Sequence, residues 1–160
     1  MMSLGRRGFL GSLTLAGLSP LLARAGMDGP LGDWDNADAT TLAHWVASGQ
    51  VSATELLNEA IRRLRAVNPS LNLLSQDHVE MAMATAEGRL PKGAFSGVPF
   101  LLKDLGVQLA GTVTSAGSAL NANNLAAADS TIVRRFKDAG LVIFGKTNTP
   151  EFGMALTTEG

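Results

Sequence analysis

Two short apolar runs, at residues 98–105 and 141–144, constrain the fold of this 160-residue chain more than any other feature. The second run, Leu-Val-Ile-Phe, has the composition of a strand that is buried on both faces. Between the runs, Asp129 or Ser130 can cap a helix that ends at Gly140. Strand, helix and strand in this order predict an α/β fold. The side chains expected to pack from this helix are Ile132, Val133 and Phe136.

The region before the first run carries two helix-start signals. Asp38 precedes a short amphipathic stretch and is predicted to begin a helix. Ser52 and Glu55 form the Ser-x-x-Glu pattern of a capping box, which begins a longer helix. The Asn-Pro pair at residues 68–69 is expected to stop that helix, because the residue before a proline disfavours helical geometry.

The remaining segments are assigned by weaker signals. Residues 26–37 are rich in glycine and acidic residues and are predicted to be a linker. Residues 71–74 are a candidate short strand, and residues 77–87 are a candidate helix. Residues 145–150, Gly-Lys-Thr-Asn-Thr-Pro, are predicted to form a turn. No internal repeat divides the chain further.

Lys103 interrupts the first apolar run, and the residues around it allow two interpretations. At the end of a strand its amine can simply reach water, as lysine side chains commonly do. Alternatively it is a base, because an apolar setting favours the neutral amine over the ammonium ion. Strand alternation would place Asp104 on the opposite face. Residues 106–124, rich in glycine, serine and threonine, are too long for an ordinary connection and are predicted to be functional.

Composition excludes several classes of function. The net charge of −1 gives no electrostatic reason to expect a nucleic-acid partner. The chain has no cysteine, which excludes disulfides and thiolate metal sites. His44 and His78 have no partner ligands nearby in sequence, so neither a metal ion nor another cofactor is predicted.

Residues 1–25 have the pattern of an export signal. Arg6 and Arg7 precede Phe-Leu and a mild apolar run, and Ala-Arg-Ala at residues 23–25 fits a cleavage site. The arrangement is similar to a twin-arginine signal, although Gly5 stands where Ser or Thr is common. The alternative is an uncleaved membrane anchor, but the run is shorter than the ~20 apolar residues that a spanning helix needs. We therefore expect no stable membrane anchor, transient contact with the twin-arginine translocase, and a periplasmic or secreted protein.

Residues 140–147 match the phosphate-binding pattern Gly-x4-Gly-Lys-Thr, but their surroundings do not fit it. That motif needs a strand before the first glycine, a polar loop, and a helix after the threonine. Here a predicted helix precedes Gly140, the four middle residues are apolar, and Asn-Thr-Pro follows. Nucleotide binding is therefore not predicted, and Lys146 is interpreted as a structural turn residue.

Four segments in order resemble the amidase signature family. The first is Gly-Val-Pro-Phe-Leu-Leu-Lys-Asp at residues 97–104, and the second is Thr-Ser-Ala-Gly-Ser at residues 114–118. The third is the helix region over residues 129–140. The fourth is Gly-Lys-Thr-Asn-Thr-Pro-Glu-Phe-Gly at residues 145–153. The resemblance covers residues 38–160 and implies the N-terminal part of an amidase domain, with a mixed sheet flanked by helices.

The resemblance implies that Lys103 is the catalytic base and that Thr114, Gly117 and Ser118 belong to the wall of the substrate site. The family's bridging and nucleophilic serines lie in and before a Gly-Gly-Ser-Ser-Gly-Gly-like segment, which these 160 residues do not contain. We therefore expect a fold truncated before the serine-containing core and a chain that is inert alone. Ser115 or Ser118 could instead be nucleophiles, but neither has an evident orienting group.

The function implied for the complete protein is hydrolysis of carboxamide bonds in small molecules, with a small amide as the bound partner. Residues 148–153 and 157–159 look most similar to bacterial amidases that act on cyclic amides such as the 6-aminohexanoate cyclic dimer. The alternative from another class is a non-catalytic exported remnant, or one half of a split protein.

Overall fold

The computed structural model describes residues 30–158, with side chains from residue 33 onward. Within that range the chain forms four α-helices, three strands and three short 3-10 helices. The predicted signal over residues 1–25, including Arg6 and Arg7, lies outside the described residues. The α-helices are α1 Ala39–Ala47, α2 Ala53–Leu71, α3 Val79–Glu87 and α4 Thr131–Asp138. The strands are β1 Leu74–Asp77, β2 Pro99–Lys103 and β3 Val142–Thr147.

The three strands form one mixed sheet in the order β1-β3-β2. β2 runs parallel to β3, and β1 runs antiparallel to it. Five of the six residues of β3 are buried, as expected for the central strand. The pairing of β2 with β3 skips Phe144, so that β3 carries one extra residue at this point. The predicted α/β class with a mixed sheet is confirmed.

Helices cover both faces of the sheet because β3 presents apolar side chains alternately to each. Val142 and Phe144 pack with Leu57 of α2 and Ala82 of α3. Ile143 packs on the other face in a cluster with side chains from α4 and β2. That second cluster consists of Leu102, Leu109, Val133 and Ile143.

The starts of α1 and α2 follow their sequence signals, whereas Ser130, the residue before α4, makes no side-chain capping hydrogen bond. Asp38 caps α1 through a hydrogen bond that its Oδ1 accepts from the Thr41 N–H at 2.8 Å. At the start of α2, Ser52 Oγ accepts from the Glu55 N–H, and Glu55 Oε2 accepts from the Ser52 N–H. The capping box is therefore present as predicted.

The end of α2 differs from the prediction. The helix continues through Pro69 to Leu71 and ends at Asn72, which adopts left-handed geometry. A proline in the last turn removes only one helical hydrogen bond, so the helix continues past it. Because the helix is longer, the predicted strand over residues 71–74 begins only at Leu74.

Three further details differ from the sequence assignments. Part of the predicted linker over residues 26–37 is a 3-10 helix, Pro30–Asn36, whose Trp34 packs against the core and under the Arg63 guanidinium. Ile132 is 40% exposed, whereas Val133 beside it is fully buried, so Ile132 lies outside the buried stripe of α4. Lys146 belongs to β3 and not to a turn, because its backbone still pairs with both neighbouring strands.

Candidate active site

Lys103 is the last residue of β2, opposite Thr147 at the end of β3. Parallel strands end at the same edge of a sheet, and loops that follow them meet there. The Lys103 side chain is exposed, and within residues 30–158 its Nζ has no hydrogen-bond or ion-pair partner. The amine is therefore free to meet a group that approaches this edge.

Asp104 follows Lys103 directly but is completely buried. Its Oδ1 accepts a hydrogen bond from the Ser115 N–H at 3.1 Å, and its Oδ2 accepts from Ser115 Oγ at 2.5 Å. Its own N–H donates to the Thr147 carbonyl at 3.0 Å. The carboxylate therefore faces the loop after β2 and not the exposed amine of Lys103, in agreement with strand alternation.

Lys146 is the largest fully buried side chain among the described residues. Its Nζ donates a short hydrogen bond to the Val113 carbonyl and another, of 2.9 Å, to Thr114 Oγ1. The Asp104 carboxylate lies 3.9 Å from the same Nζ. Desolvation lowers the pKa of Lys146, and the Asp104 charge opposes that shift.

The local pattern of apolar residues does not distinguish the two lysines. Lys103 and Lys146 both follow apolar strand residues, and either could have been the exposed one. The groups that receive the Lys146 amine lie about thirty residues earlier, in a loop without periodic pattern. The buried lysine was therefore missed, because its partners are specified by tertiary structure alone.

The three predicted wall residues lie in the loop that follows β2. Thr114 is buried and donates from its hydroxyl to the Val107 carbonyl at 3.2 Å, while it accepts from Lys146. Gly117 has a φ of +68°, and a Cβ there would lie 2.4 Å from the Thr149 carbonyl oxygen. Ser118 is 3% exposed, and its hydroxyl donates to Glu151 at 2.6 Å.

These contacts join the loop to the segment after β3. Besides the Ser118–Glu151 hydrogen bond, the Phe152 N–H donates to the Ala116 carbonyl at 2.8 Å. The structure therefore brings residues 114–118 together with residues 149–152 near the end of the sheet. Their role as a wall of the substrate site stays a prediction.

Neither serine of the loop is arranged as a nucleophile paired with Lys103. The Ser115 hydroxyl donates to Asp104, and the Ser118 hydroxyl donates to Glu151. Neither hydroxyl hydrogen-bonds to the Lys103 amine. Since a nucleophile needs a base within hydrogen-bond reach, this geometry favours structural roles for both.

His78 lies beside the buried lysine. Its Nε2 is buried without a hydrogen-bond partner. Desolvation, and then the charge of Lys146, lowers the pKa of His78, while Asp77 and Asp104 oppose the shift.

Among residues 30–158, no group of three or more His, Asp or Glu side chains could hold a metal ion. In the same range no helix is long and apolar enough to cross a membrane.

The phosphate-binding pattern at residues 140–147 does not form a phosphate loop. Residues Val142–Thr147 are strand β3, and the segment after it contains only a short 3-10 helix, Glu151–Gly153. A strand has no cradle of convergent N–H groups for a phosphate. The structural context expected for residues 140–147, a strand in the middle and no α-helix directly after it, is therefore present.

A shallow cavity of about 340 Å³ lies where the end of α2 meets the end of β3. It is lined by the end of α2 together with Thr147, Asn148 and Thr158. Lys103 does not line it, although Thr147 is the strand partner of Lys103. The cavity and the lysine therefore do not form a complete site within the described residues.

Comparison with known proteins gives the same picture as the motifs. A profile of the family described as Amidase matches residues 55–160. The chain is similar to a 6-aminohexanoate-cyclic-dimer hydrolase of Paenarthrobacter ureafaciens, with 44% identity over 124 residues, 76% of this chain and 25% of that protein. An acylamidase of Rhodococcus erythropolis is 37% identical over 123 residues, which are 72% of this chain and 25% of that one.

The fold is also similar to solved structures. The structure of a 6-aminohexanoate cyclic dimer hydrolase complexed with substrate aligns with a TM-score of 0.71 and 42% identity. The alignment covers 77% of this chain and 26% of that chain. A bacterial aryl acylamidase of the amidase signature enzymes aligns with a TM-score of 0.67 and 27% identity, over 76% of this chain and 27% of that chain. The chain thus spans about a quarter of the length of these relatives.

Proposed function

Because this chain belongs to the amidase family, we propose that the complete protein hydrolyses carboxamide bonds in small molecules, with Lys103 as its base. One observation carries the proposal: the lysine of the family's first segment lies at the exposed end of β2, with its amine unpaired within residues 30–158. A base must be reachable by the group from which it takes a proton.

The proposed reaction is acyl transfer through two serines outside these 160 residues. Neutral Lys103 accepts a proton from the bridging serine, which takes one from the nucleophilic serine as the latter attacks the amide carbonyl. Backbone N–H groups of the glycine-rich segment hold the oxyanion. The lysine returns the proton to the leaving amine, and water then releases the acid. On this proposal we expect these 160 residues alone to catalyse no amide hydrolysis, which an assay of residues 26–160 would test.

The names of the relatives indicate the class of substrate to propose. Curated relatives at 43% and 44% identity carry the name of the 6-aminohexanoate cyclic dimer, a small uncharged cyclic amide. Acylamidase relatives cleave other amides, according to their names. We propose that the complete protein takes small neutral amides, and that the cyclic dimer is the first compound to test.

The test measures amine release from the cyclic dimer and from a simple anilide by the complete protein. Replacing Lys103 with Met should lower kcat/KM by roughly 10²- to 10⁴-fold, the usual contribution of a general base. Lys92→Met, at an exposed loop position, is the matched control and should keep wild-type activity. Failure of the wild-type protein to release amine from either compound would refute the proposal, as would an unimpaired Lys103→Met variant.

We also propose that the protein is exported through the twin-arginine pathway. The support is the arginine pair, Arg6 and Arg7, before a mild apolar run and an Ala-Arg-Ala site. In a bacterial host, replacing both arginines with lysine should leave the precursor in the cytoplasm. Lysine keeps the charge, so the change tests recognition of the guanidinium groups. Equal export of both forms, measured by fractionation, would contradict this assignment.

A further inference from the structure

Lys146 and Asp104 form a buried pair of charged side chains. Burying this pair costs free energy, and a gain in folding stability does not account for its presence. Both side chains are completely buried, and their charged atoms are 3.9 Å apart. Removing two charges from water is expensive, and an apolar pair of similar size is often as stable or more so. A buried pair of this kind points to a role beyond stability, and its position indicates what that role is.

Asp104 is the residue directly after Lys103, and it is held on several sides. The backbone N–H and the hydroxyl of Ser115 donate to its carboxylate, and its own N–H donates to Thr147. Once Asp104 is fixed in this way, the backbone of Lys103 has little freedom to rotate. The direction in which the exposed amine leaves β2 therefore depends on the setting of Asp104.

Lys146 links Asp104 to the loop after β2. Its amine donates to Val113 and Thr114, the two residues before Ser115, and it faces Asp104. Gln76 of β1 donates to the same Val113 carbonyl at 2.9 Å. Through these contacts Lys146 of the central strand fixes the loop over residues 113–115 relative to Asp104.

We propose that Lys146 is a positioning residue, which through Asp104 and the loop over residues 113–115 holds Lys103 at a fixed distance and angle to the substrate-site wall. The inference rests on the proposed amidase function, because it assigns Lys146 a role only if Lys103 is the base. Desolvation lowers the pKa of Lys146, which agrees with an ammonium buried for geometry at an energetic cost.

The test uses the complete protein and a fluorophosphonate probe, which reacts with an activated serine. The rate constant of labelling reports how well the base is positioned, and the final amplitude reports the fraction of folded protein. Lys146→Met should lower the rate constant by roughly 10- to 100-fold, as expected for a misplacement of up to about 1 Å. Lys137→Met, which removes the ion pair between Lys137 of α4 and Asp129, is the control and should label at the wild-type rate.

A second variant separates positioning from folding. In Lys146→Met/Asp104→Asn both charges are absent, and an asparagine can still hydrogen-bond to Ser115. Any loss of final labelling amplitude in Lys146→Met should be restored in this double variant, because no unpaired charge stays buried. Its labelling should stay slow, because the link from β3 to the loop is missing. Recovery of the wild-type rate constant would show that the pair matters for folding alone, and would overturn the inference.

Ser115→Ala keeps the inference testable if the lysine variants do not fold. It removes the 2.5 Å hydrogen bond to Asp104 and the 3.2 Å hydrogen bond that Ser115 Oγ accepts from the Gly117 N–H, and it lies at a half-buried position. We expect correct folding and a rate constant lowered several-fold. A wild-type rate constant would overturn the inference while leaving the proposed function intact. A wild-type protein that neither labels nor hydrolyses amides would overturn both.

Discussion

At the end of β2, one step along the backbone separates an exposed lysine from a buried aspartate. Successive side chains of a strand point to opposite faces, so Lys103 meets solvent while Asp104 meets Lys146. The same alternation lets the sheet keep one amine free and hold the other in hydrogen bonds. Two lysines with similar sequence surroundings thereby acquire different chemistry.

At the residue scale, His78 should make the protein less stable in mild acid. Desolvation and the charge of Lys146 lower the pKa of His78 in the folded state. Below its ordinary value of about 6.5, the unfolded chain therefore takes up a proton that the folded chain does not. The free energy of unfolding should decrease as the pH falls through that value, until the folded state is protonated too.

The measurement compares the Tm of the complete protein at neutral pH and at about pH 5.5, one unit below the ordinary histidine value. The Tm of His78→Gln should decrease less on acidification than the Tm of the wild-type protein. His44→Gln, at an exposed position on α1, is the matched control and should follow the wild type. Equal losses in all three proteins would contradict the assigned cause.

At the element scale, the start of α2 depends on its capping box. Ser52 Oγ accepts from the Glu55 N–H at 3.1 Å, and Glu55 Oε2 accepts from the Ser52 N–H at 2.9 Å. Ser52→Ala leaves one of these donors without its partner and should lower the free energy of unfolding by about 1 kcal/mol. Denaturant unfolding of the complete protein measures the change.

Ser70→Ala is the control at the other end of the same helix. Ser70 is exposed, and its hydroxyl donates only to the Val67 carbonyl within its own turn. Water can replace that bond, so the variant should lose much less stability than Ser52→Ala. Similar losses for the two variants would show that the capping box contributes no more than an ordinary surface hydroxyl.

Elements with strong local signals could be predicted from the sequence. Asp38 and Ser52 cap backbone groups three residues further along the chain, and the apolar residues of β3 are consecutive in the sequence. The predicted end of α2 was wrong because Pro69 lies in the last turn of the helix, where a proline removes only one helical hydrogen bond. Whether a proline ends a helix or only marks its last turn depends on packing beyond the local pattern.

The candidate site could be predicted only in part. Lys103 was assigned as the base through the family's motifs. Its exposed strand-end position agrees with the first interpretation of the sequence, an amine that reaches water, and not with the apolar setting that would favour a neutral amine. The buried role of Lys146 depends on residues 104, 113 and 114, which reach it from distant parts of the chain. Periodicity carries no information about such contacts, and therefore the sequence placed Lys146 in a turn.

At the scale of the whole molecule, the described residues form a sheet with two open edges. β1 and β2 each pair with β3 on one side only. Several large apolar side chains near the end of the described chain, and in the segment between β2 and α4, are also exposed. They are Leu120, Leu125, Met154 and Leu156. Unpaired edges together with exposed apolar side chains favour association with other chains.

We therefore expect residues 26–160, when produced alone, to associate or aggregate. Size-exclusion chromatography and calorimetry should show oligomers and a broad transition, whereas the complete protein should give a cooperative one. The aligned residues cover only about a quarter of the relatives' length. A monomer with a sharp cooperative melt would contradict this expectation.

The central claim is that Lys103 activates serines outside residues 1–160, in an acyl-transfer site that these residues build only in part. Its most direct test is to label the complete protein with a fluorophosphonate and to locate the adduct by peptide mass spectrometry. We predict one adduct per chain, on a serine in a glycine-rich segment outside residues 1–160, and far slower labelling in Lys103→Met. An adduct on Ser115 or Ser118, or labelling unaffected by the loss of Lys103, would contradict the claim.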